Sequence, residues 1–147
     1  MNPIILFIYF FFLHDNYYFS KYKKFNIVSV YGGVSINPQI DELRTAEVVV
    51  ATPGRLKDHL ERRTITMSKI KLLVLDEADR MLDMGFIPQV RRIVRSTPRK
   101  EHRQTQLFSA TITADVISLT EQWTYEPFML ETEPENVASD TVDQKIY

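Results

Sequence analysis

Short apolar runs separated by polar turns dominate the hydrophobic pattern of this chain. Four consecutive aliphatic residues, Leu72–Leu75, follow a polar lysine. An unbroken aliphatic run of this length is typical of a parallel strand that is buried on both faces. β-branched or alternating apolar residues indicate further strands. These strands are predicted at residues 27–31, 47–51, 104–109 and 128–130.

Apolar residues at helical spacing occupy the segments between these runs. Thr52 is predicted as the N-cap of a helix that begins at Pro53, an order that helix starts favour. Leu56 and Leu60 lie four residues apart and define its inward face. The same spacing predicts further helices, at residues 34–43, at residues 78–83, between Phe86 and Pro98, and after Thr113. Strands alternating with helices predict an α/β fold, with a parallel sheet flanked by helices.

Two carboxylates, Asp76 and Glu77, follow the most apolar strand directly. Open α/β sheets bind their ligands at the carboxyl ends of the strands, so both side chains are expected at that edge. There they can hold a hydrated Mg²⁺ and orient a water against a phosphoryl group. Taken alone, the pair also fits a plain strand-to-helix turn in which Asp76 caps the helix at residues 78–83.

Composition narrows the class of protein. The 147 residues, 44% hydrophobic and 25% charged, are typical of one ordinary globular domain. Because the net charge is −1, any contact with nucleic acid must come from local basic clusters. The chain has no cysteine, which excludes disulfides and is compatible with a reducing cytoplasm. His14, His59 and His102 lack the spacing of metal ligands, so solvated or capping roles are expected.

The two ends of the chain differ from its middle. Residues 4–13 are an apolar run of ten, too short to span a bilayer, which takes about 20 residues. An aberrant start is our interpretation of this run, and a buried or added β-strand is the alternative. Residues 131–140 are acidic and contain Pro134, which predicts a linker. We therefore expect an aberrant segment at 1–18, a partial domain at 19–130 and a linker toward an absent second domain at 131–147.

Two further fragments flank the carboxylates in sequence. Thr52-Pro53-Gly54-Arg55 precedes them, and Ser109-Ala110-Thr111 follows them. Together with Asp76-Glu77-Ala78-Asp79, these fragments resemble the DEAD-box family of ATP-dependent RNA helicases. The resemblance covers roughly residues 19–147. It implies a RecA-like fold of the P-loop NTPase type, here N-terminally incomplete, and an enzyme that couples ATP binding and hydrolysis to RNA unwinding or remodelling.

The resemblance also implies roles for the residues at the sheet edge. Asp76 would hold Mg²⁺ through water, and Glu77 would orient the water that attacks the γ-phosphate of ATP. Asp79 would join Ser109 and Thr111 and couple the nucleotide state to the rest of the domain. ATP and Mg²⁺ are therefore the implied cofactors.

RNA is the implied partner, and no membrane is expected. The resemblance places Gly32 and Gly33 beside the RNA path and gives the segment Thr52, Pro53, Gly54 and Arg55 to the RNA backbone. A helix start with free N–H groups and an arginine in its first turn is also a phosphate site on physical grounds. For the basic run between Arg91 and Arg103, a solvated helix face is the first interpretation and an RNA surface the second.

Some parts of the family pattern are missing from these 147 residues. None of the four glycines precedes a lysine, so the chain contains no G-x-x-x-x-G-K-[ST] loop. The glutamine-bearing adenine element and the second domain with its arginine finger are absent as well. Two alternatives remain open: part of an ATP-dependent RNA helicase, or a non-catalytic truncated fragment with at most weak binding to the RNA backbone.

Overall fold

A computed structural model describes residues 5–8 and 24–132. In this part of the chain, five strands form a single parallel sheet in the order β2-β3-β1-β4-β5. The strands are β1 (Ile5–Ile8), β2 (Ile27–Val30), β3 (Val48–Ala51), β4 (Leu72–Leu75) and β5 (Gln104–Leu107). The predicted parallel α/β class is therefore confirmed.

Helices connect the strands as the parallel order requires. They are α1 (Ile36–Leu43), α2 (Pro53–Glu61), α3 (Ala78–Asp83), α4 (Ile87–Ser96) and α5 (Ala114–Trp123), with a 3₁₀ turn at Lys100–His102. Pro53 and Ala78 begin α2 and α3 as predicted, whereas α1 starts at Ile36 rather than at residue 34. Among the described residues, no helix has the length and apolar character needed to cross a bilayer.

The strand β1 lies in the middle of the sheet. It pairs in parallel with β3 on one side and with β4 on the other. Leu6 and Ile8 share one face of this strand, and both are fully buried. For residues 5–8 the structure therefore shows the buried strand that was the alternative interpretation. The rest of the apolar run at 4–13 lies outside the described residues, as do His14 and the C-terminal part of the predicted linker.

The core fills the space between the sheet and the helices that cover it. Leu73 and Val74 point to opposite faces of β4 and are both buried, as predicted for a strand covered on both faces. Helices α2 and α4 pack against each other. Leu56 of α2 and Ile93 of α4 are also fully buried. Transferring such side chains from water stabilises the fold by about 1.5–3 kcal/mol each.

The predicted strand at residues 128–130 is wrong. The structure has no regular element there, and Phe128 is 88% exposed. A strand needs a neighbour for its ladder hydrogen bonds. Glu126 has a φ of 47° and precedes Pro127, which has no N–H to donate. An apolar triplet in this setting remains on the surface without pairing.

Candidate functional site

The carboxyl ends of the parallel strands lie side by side at one edge of the sheet. Ile8 of β1 is in register with both Ala51 of β3 and Leu75 of β4. Leu75 is in turn paired with Leu107 of β5. The segments that follow β3, β4 and β5 therefore leave the sheet at the same edge. This confirms the predicted common placement of Thr52, Asp76 and Ser109.

Asp76 and Glu77 form the turn between β4 and α3. The Asp76 N–H donates to the Ile8 carbonyl at 3.0 Å, so the turn continues the ladder with β1. Asp76 Oδ1 accepts from the Glu77 N–H at 2.9 Å. Glu77, not Asp76, occupies the N-cap position, and its side chain makes no capping hydrogen bond. The plain capping interpretation of this turn therefore fails for both carboxylates.

Glu77 has two features that are unfavourable in free energy. Its backbone is left-handed, with φ 53° and ψ 50°, a conformation that costs a non-glycine residue about 1–2 kcal/mol. Its Oε2 atom is buried and accepts no hydrogen bond from the described part of the chain. A buried carboxylate oxygen without a donor is unfavourable. Such an atom is suited to accept a hydrogen bond from a water or ligand bound at this edge.

Asp79 contacts the segment that follows β5. Its Oδ2 accepts from both the hydroxyl and the N–H of Thr111, each at 3.0 Å. The Ser109 Oγ accepts from the Asp79 N–H at 3.3 Å and donates to the Thr111 carbonyl at 2.7 Å. The Ala78 N–H also donates to the Phe108 carbonyl at 3.0 Å. The structure thus joins the two segments as the sequence predicted.

These hydrogen bonds set the charge state of Asp79. Burial is the largest single influence and raises the pKa of the Asp79 carboxyl. The hydrogen bonds from the Thr111 hydroxyl and from the Arg80 and Thr111 amides together outweigh burial and lower the pKa below its ordinary value. Asp79 is therefore a carboxylate at neutral pH.

The second region of the edge is the start of α2. Thr52 donates its N–H to the Val30 carbonyl at 2.9 Å, and its own carbonyl accepts from Leu56 at 3.1 Å. The Thr52 side chain makes no capping hydrogen bond, so its predicted N-cap position is correct but its hydroxyl caps nothing within the described residues. A Cβ at Gly54 would come no closer than 3.9 Å to Gln89 Oε1. Packing within the described chain does not require a glycine at this position.

The loop after β2 lies against this helix start. Gly33 has a φ of 83°, a left-handed conformation that favours glycine, whereas a Cβ at Gly32 would meet open space. Arg55 Nη2 donates to the Val34 carbonyl at 2.8 Å. The glycine pair and the helix start, which sequence analysis assigned separately to RNA, are therefore connected through this arginine.

A cluster of buried polar side chains is hydrogen-bonded to Arg55. Gln39 of α1 is 4% exposed, and its Oε1 accepts from Arg55 Nη1 at 3.2 Å. The amide nitrogen of Gln39 donates to the Tyr31 carbonyl at 3.0 Å. His59 is fully buried, with Nε2 at 3.1 Å from the same Gln39 oxygen and Nδ1 at 2.8 Å from Thr64 Oγ1. The predicted solvated or capping role is wrong for His59.

The burial of Gln39 and His59 was not predicted from the sequence, although their spacing within the helices indicates it. Gln39 lies four residues before Leu43 and His59 three residues after Leu56, so each shares the buried face of its helix. A polar residue on the inward face of a helix indicates a buried hydrogen-bond partner. Burial lowers the pKa of His59, and the positive charge of Arg55 lowers it further.

Comparison with known proteins decides the family. The family model described as DEAD/DEAH box helicase matches residues 15–119, more than half of the chain. The chain belongs to the DEAD/DEAH box helicase family.

Two ATP-dependent RNA helicases are similar to this chain over most of its length. The ATP-dependent RNA helicase RhlB of Pseudomonas aeruginosa is 53% identical over 130 residues, which are 87% of this chain and 33% of that protein. The ATP-dependent RNA helicase DeaD of Mycobacterium tuberculosis is 42% identical over 123 residues, covering 83% of this chain and 22% of its own length. The chain thus spans a third or less of these relatives.

Solved structures of the family share the fold. A DEAD box protein from the hyperthermophile Methanococcus jannaschii superposes with a TM-score of 0.71 at 33% identity, covering 85% of this chain and 36% of that one. The yeast DEAD-box splicing factor Prp28 gives a TM-score of 0.70 at 28% identity, covering 84% of this chain and 31% of its own. The RecA-like architecture predicted from the motifs is therefore confirmed.

The acidic residues at this edge of the sheet could hold a hydrated Mg²⁺, which needs few ligands from the protein. The described residues contain no group of three or more side chains able to hold a metal ion together. Mg²⁺ is commonly bound by one or two carboxylates, several waters and the phosphates of a nucleotide. The half-buried Asp76, with one oxygen engaged by the Glu77 amide, fits that type of ligand.

The basic run after α3 divides into two kinds of residue. Arg91, Arg95 and Arg99 are exposed, which agrees with a solvated face. Arg103 is partly buried, and its guanidinium donates to the carbonyls of Pro98 and Trp123 and to the hydroxyls of Thr97 and Thr105. Arg103 is therefore a structural residue that ties β5 to the end of α5.

Proposed function

We propose that this chain is part of a cytoplasmic DEAD-box ATP-dependent RNA helicase that couples ATP binding and hydrolysis to RNA unwinding or remodelling. The single observation that carries the proposal is the contact of Asp79 with Ser109 and Thr111 beside Asp76 and Glu77. It connects two motifs that lie thirty or more residues apart in sequence, and the bonds from Thr111 to the Asp79 carboxylate are charge-assisted.

Asp76 is the residue that would hold Mg²⁺ through water. When bound, Mg²⁺ neutralises charge on the nucleotide phosphates. The Asp76 main chain is fixed to β1 by its N–H bond to Ile8, and one side-chain oxygen is held by Glu77. These two bonds orient the carboxylate before any ligand arrives.

Glu77 is the residue that would orient the attacking water. Its buried Oε2 accepts no hydrogen bond from the described residues, and a water in that position would satisfy it. Its left-handed backbone directs the side chain at the start of α3, a strain of a kind that functional sites often hold. A carboxylate oxygen free to accept from a water is what a water-positioning group requires.

Asp79 would carry the nucleotide state to the segment after β5. Its carboxylate receives two hydrogen bonds from Thr111, and Ser109 receives the Asp79 amide. A shift of the β4–α3 turn on binding a nucleotide would therefore move Ser109 and Thr111 with it. Coupling of this kind needs an element that both sites contact, and the turn is such an element.

RNA binding is assigned to the other half of the edge. At the start of α2, the Thr52 N–H is engaged by Val30 and Pro53 has no N–H, so the positive helix end would offer a phosphate the N–H groups of Gly54 and Arg55. Arg55 adds a full positive charge in the first turn, and the loop of Gly32 and Gly33 is held next to it. Contacts of this type recognise the backbone and depend strongly on salt.

A second candidate function is RNA binding without catalysis by these 147 residues alone. It is favoured because no glycine in the sequence precedes a lysine. Phosphoryl transfer depends almost entirely on positioning and charge stabilisation of the γ-phosphate. Without such a cradle, Asp76 and Glu77 have no fixed phosphate on which to act.

A chimaera tests the enzymatic proposal. Residues 19–147 of this chain would replace the equivalent segment of Pseudomonas aeruginosa RhlB, with which it shares 53% identity. We expect phosphate release with Mg·ATP that RNA stimulates, and Glu77→Gln should lower it by about 10²–10⁴-fold. Glu121→Gln, on the exposed face of α5, is the matched control and should change nothing. A chimaera that folds but whose activity is indifferent to Glu77→Gln would contradict the proposed role.

A further inference from the structure

The buried cluster of Gln39 and His59 lies outside the nucleotide edge and bridges two helices. It joins α1, which carries Gln39, to α2, which carries both His59 and Arg55. Neither buried side chain can itself reach a macromolecule, because Gln39 is 4% exposed and His59 is fully buried. Both nevertheless converge on the arginine that the proposed function assigns to RNA.

The partners of Gln39 fix the orientation of its amide. A guanidinium can only donate, so the atom facing Arg55 must be the amide oxygen. A backbone carbonyl can only accept, so the atom facing Tyr31 must be the amide nitrogen. Two independent contacts therefore require the same orientation of the Gln39 amide.

The orientation of Gln39 in turn fixes the tautomer of His59. Because Nε2 faces the amide oxygen, that nitrogen must carry the proton and donate. In the neutral ring, Nδ1 then accepts from the Thr64 hydroxyl at 2.8 Å, so the single proton of this hydroxyl is directed at Nδ1 or shared with the His59 carbonyl, which lies 3.1 Å away. Arg55, Asp58 and Arg62 are the charged groups that act on His59, and burial together with Arg55 favours this neutral form.

Arg55 is held at two of its five N–H groups. Nη1 donates to Gln39 and Nη2 to the Val34 carbonyl, both of which belong to the α1 side of the edge. The guanidinium is thus held in one orientation with further N–H groups left for a phosphate. A side chain that is already held in place loses less conformational freedom on binding, which favours affinity.

We propose that His59 is a positioning residue for RNA binding: through Gln39 it holds the Arg55 guanidinium in the orientation that receives a backbone phosphate. This inference rests on the proposed RNA role of Arg55 and names the buried residue that prepares it. His59 does not touch RNA. Its Nε2 donates to the Gln39 oxygen and so holds this oxygen in the position where it accepts from Arg55.

The test measures the affinity of the 147-residue chain for two unrelated fluorescent single-stranded RNAs by anisotropy at low salt. Arg55→Ala should weaken binding of both RNAs about tenfold. His59→Phe keeps the ring but loses the donor, and it should weaken binding about threefold to tenfold. His59→Gln restores an N–H donor near the position of Nε2 and should remain within about twofold of wild type.

A double variant separates positioning from a general structural effect. If His59 acts through Arg55, His59→Phe should have no further effect in a chain that already carries Arg55→Ala. Losses that multiply in the double variant would overturn the inference while leaving the RNA role of Arg55 intact. Absence of RNA binding by the wild-type chain, or an Arg55→Ala variant that binds normally, would instead overturn the proposed RNA function and the inference with it.

Nitrogen chemical shifts of the histidine rings test the inference even if His59→Phe does not fold. At neutral pH the wild-type His59 should show a protonated Nε2 and an unprotonated Nδ1. The signals of His59 are assigned as those that disappear in the His59→Gln variant. A ring with its proton on Nδ1 would overturn the inference, because Nε2 could then not donate to Gln39.

Discussion

The two halves of the sheet edge are built in opposite ways. At the half proposed for the nucleotide, Asp76 and Glu77 form the turn between β4 and α3, and Asp79 follows in the first turn of α3. Glu77 has a left-handed backbone and a buried oxygen that receives no hydrogen bond from the described residues. At the RNA half, buried side chains from two helices satisfy one another beneath Arg55. The first half has a buried oxygen that can receive a further hydrogen-bond donor, whereas in the second the buried side chains already satisfy one another.

This difference indicates where each half obtains its geometry. The RNA half draws its order from the packed core, since Gln39 and His59 belong to the inward faces of α1 and α2. The half proposed for the nucleotide is held by hydrogen bonds between Asp79 at the start of α3 and the segment after β5, in which Thr111 is exposed. Disturbing one hydrogen-bonded group should therefore have unequal consequences in the two halves.

The largest expected difference is in stability. Gln39→Leu removes the shared partner of His59, Arg55 and the Tyr31 carbonyl, and should lower the free energy of unfolding by about 2–3 kcal/mol. Asp79→Asn at the exposed cluster should lower it by about 1 kcal/mol or less. Urea unfolding followed by circular dichroism measures both. Equal losses would show that the two halves do not differ in the way described.

A smaller effect of opposite sign is expected at Glu77. Glycine adopts its φ of 53° without strain and removes the buried oxygen, so Glu77→Gly should raise the free energy of unfolding by about 1 kcal/mol. Arg63→Gly is the matched control, because Arg63 has a φ of 57° but is exposed. A Glu77→Gly variant less stable than wild type would mean that the left-handed turn is not under strain.

The smallest expected effect is a difference in pH dependence. The folded-state pKa of His59 is lowered, so the unfolded chain binds more protons and stability is lost as pH falls through about 6.5. The folded-state pKa of Asp79 is also lowered, but its contribution is lost only in the acid range below about 4. His59→Gln should remove the first loss, and Asp79→Asn the second. A single transition unaffected by either variant would contradict this separation.

The sequence pattern predicted one half of the edge better than the other. Buried parallel strands such as β4 have an unmistakable aliphatic run, and the residues after them are then placed at one edge by topology alone. Gln39 and His59 were missed because a polar residue within a helix usually faces water. Their burial depends on α1 and α2 packing together at the RNA half, which spacing within either helix does not specify.

At the two ends of the chain, too, the sequence pattern did not specify which segments form strands. The run containing Ile5–Ile8 is apolar enough for several structures, and only its pairing with β3 and β4 identifies it as the central strand. Residues 128–130 have the composition of a strand but no neighbouring strand to complete a ladder. Strand composition is local, whereas strand pairing is a property of the whole sheet.

We propose that these 147 residues bind the RNA backbone through the region of Arg55 but do not hold the γ-phosphate of ATP, because no glycine in the sequence precedes a lysine. One preparation of the purified chain tests both parts, by RNA anisotropy across a salt series and by phosphate release with Mg·ATP and RNA. We predict salt-dependent binding that Arg55→Ala weakens, and phosphate release no greater than that of Glu77→Gln. Turnover that survives purification and disappears in Glu77→Gln would contradict the account, because the chain would then hold the γ-phosphate with residues other than a glycine–lysine loop.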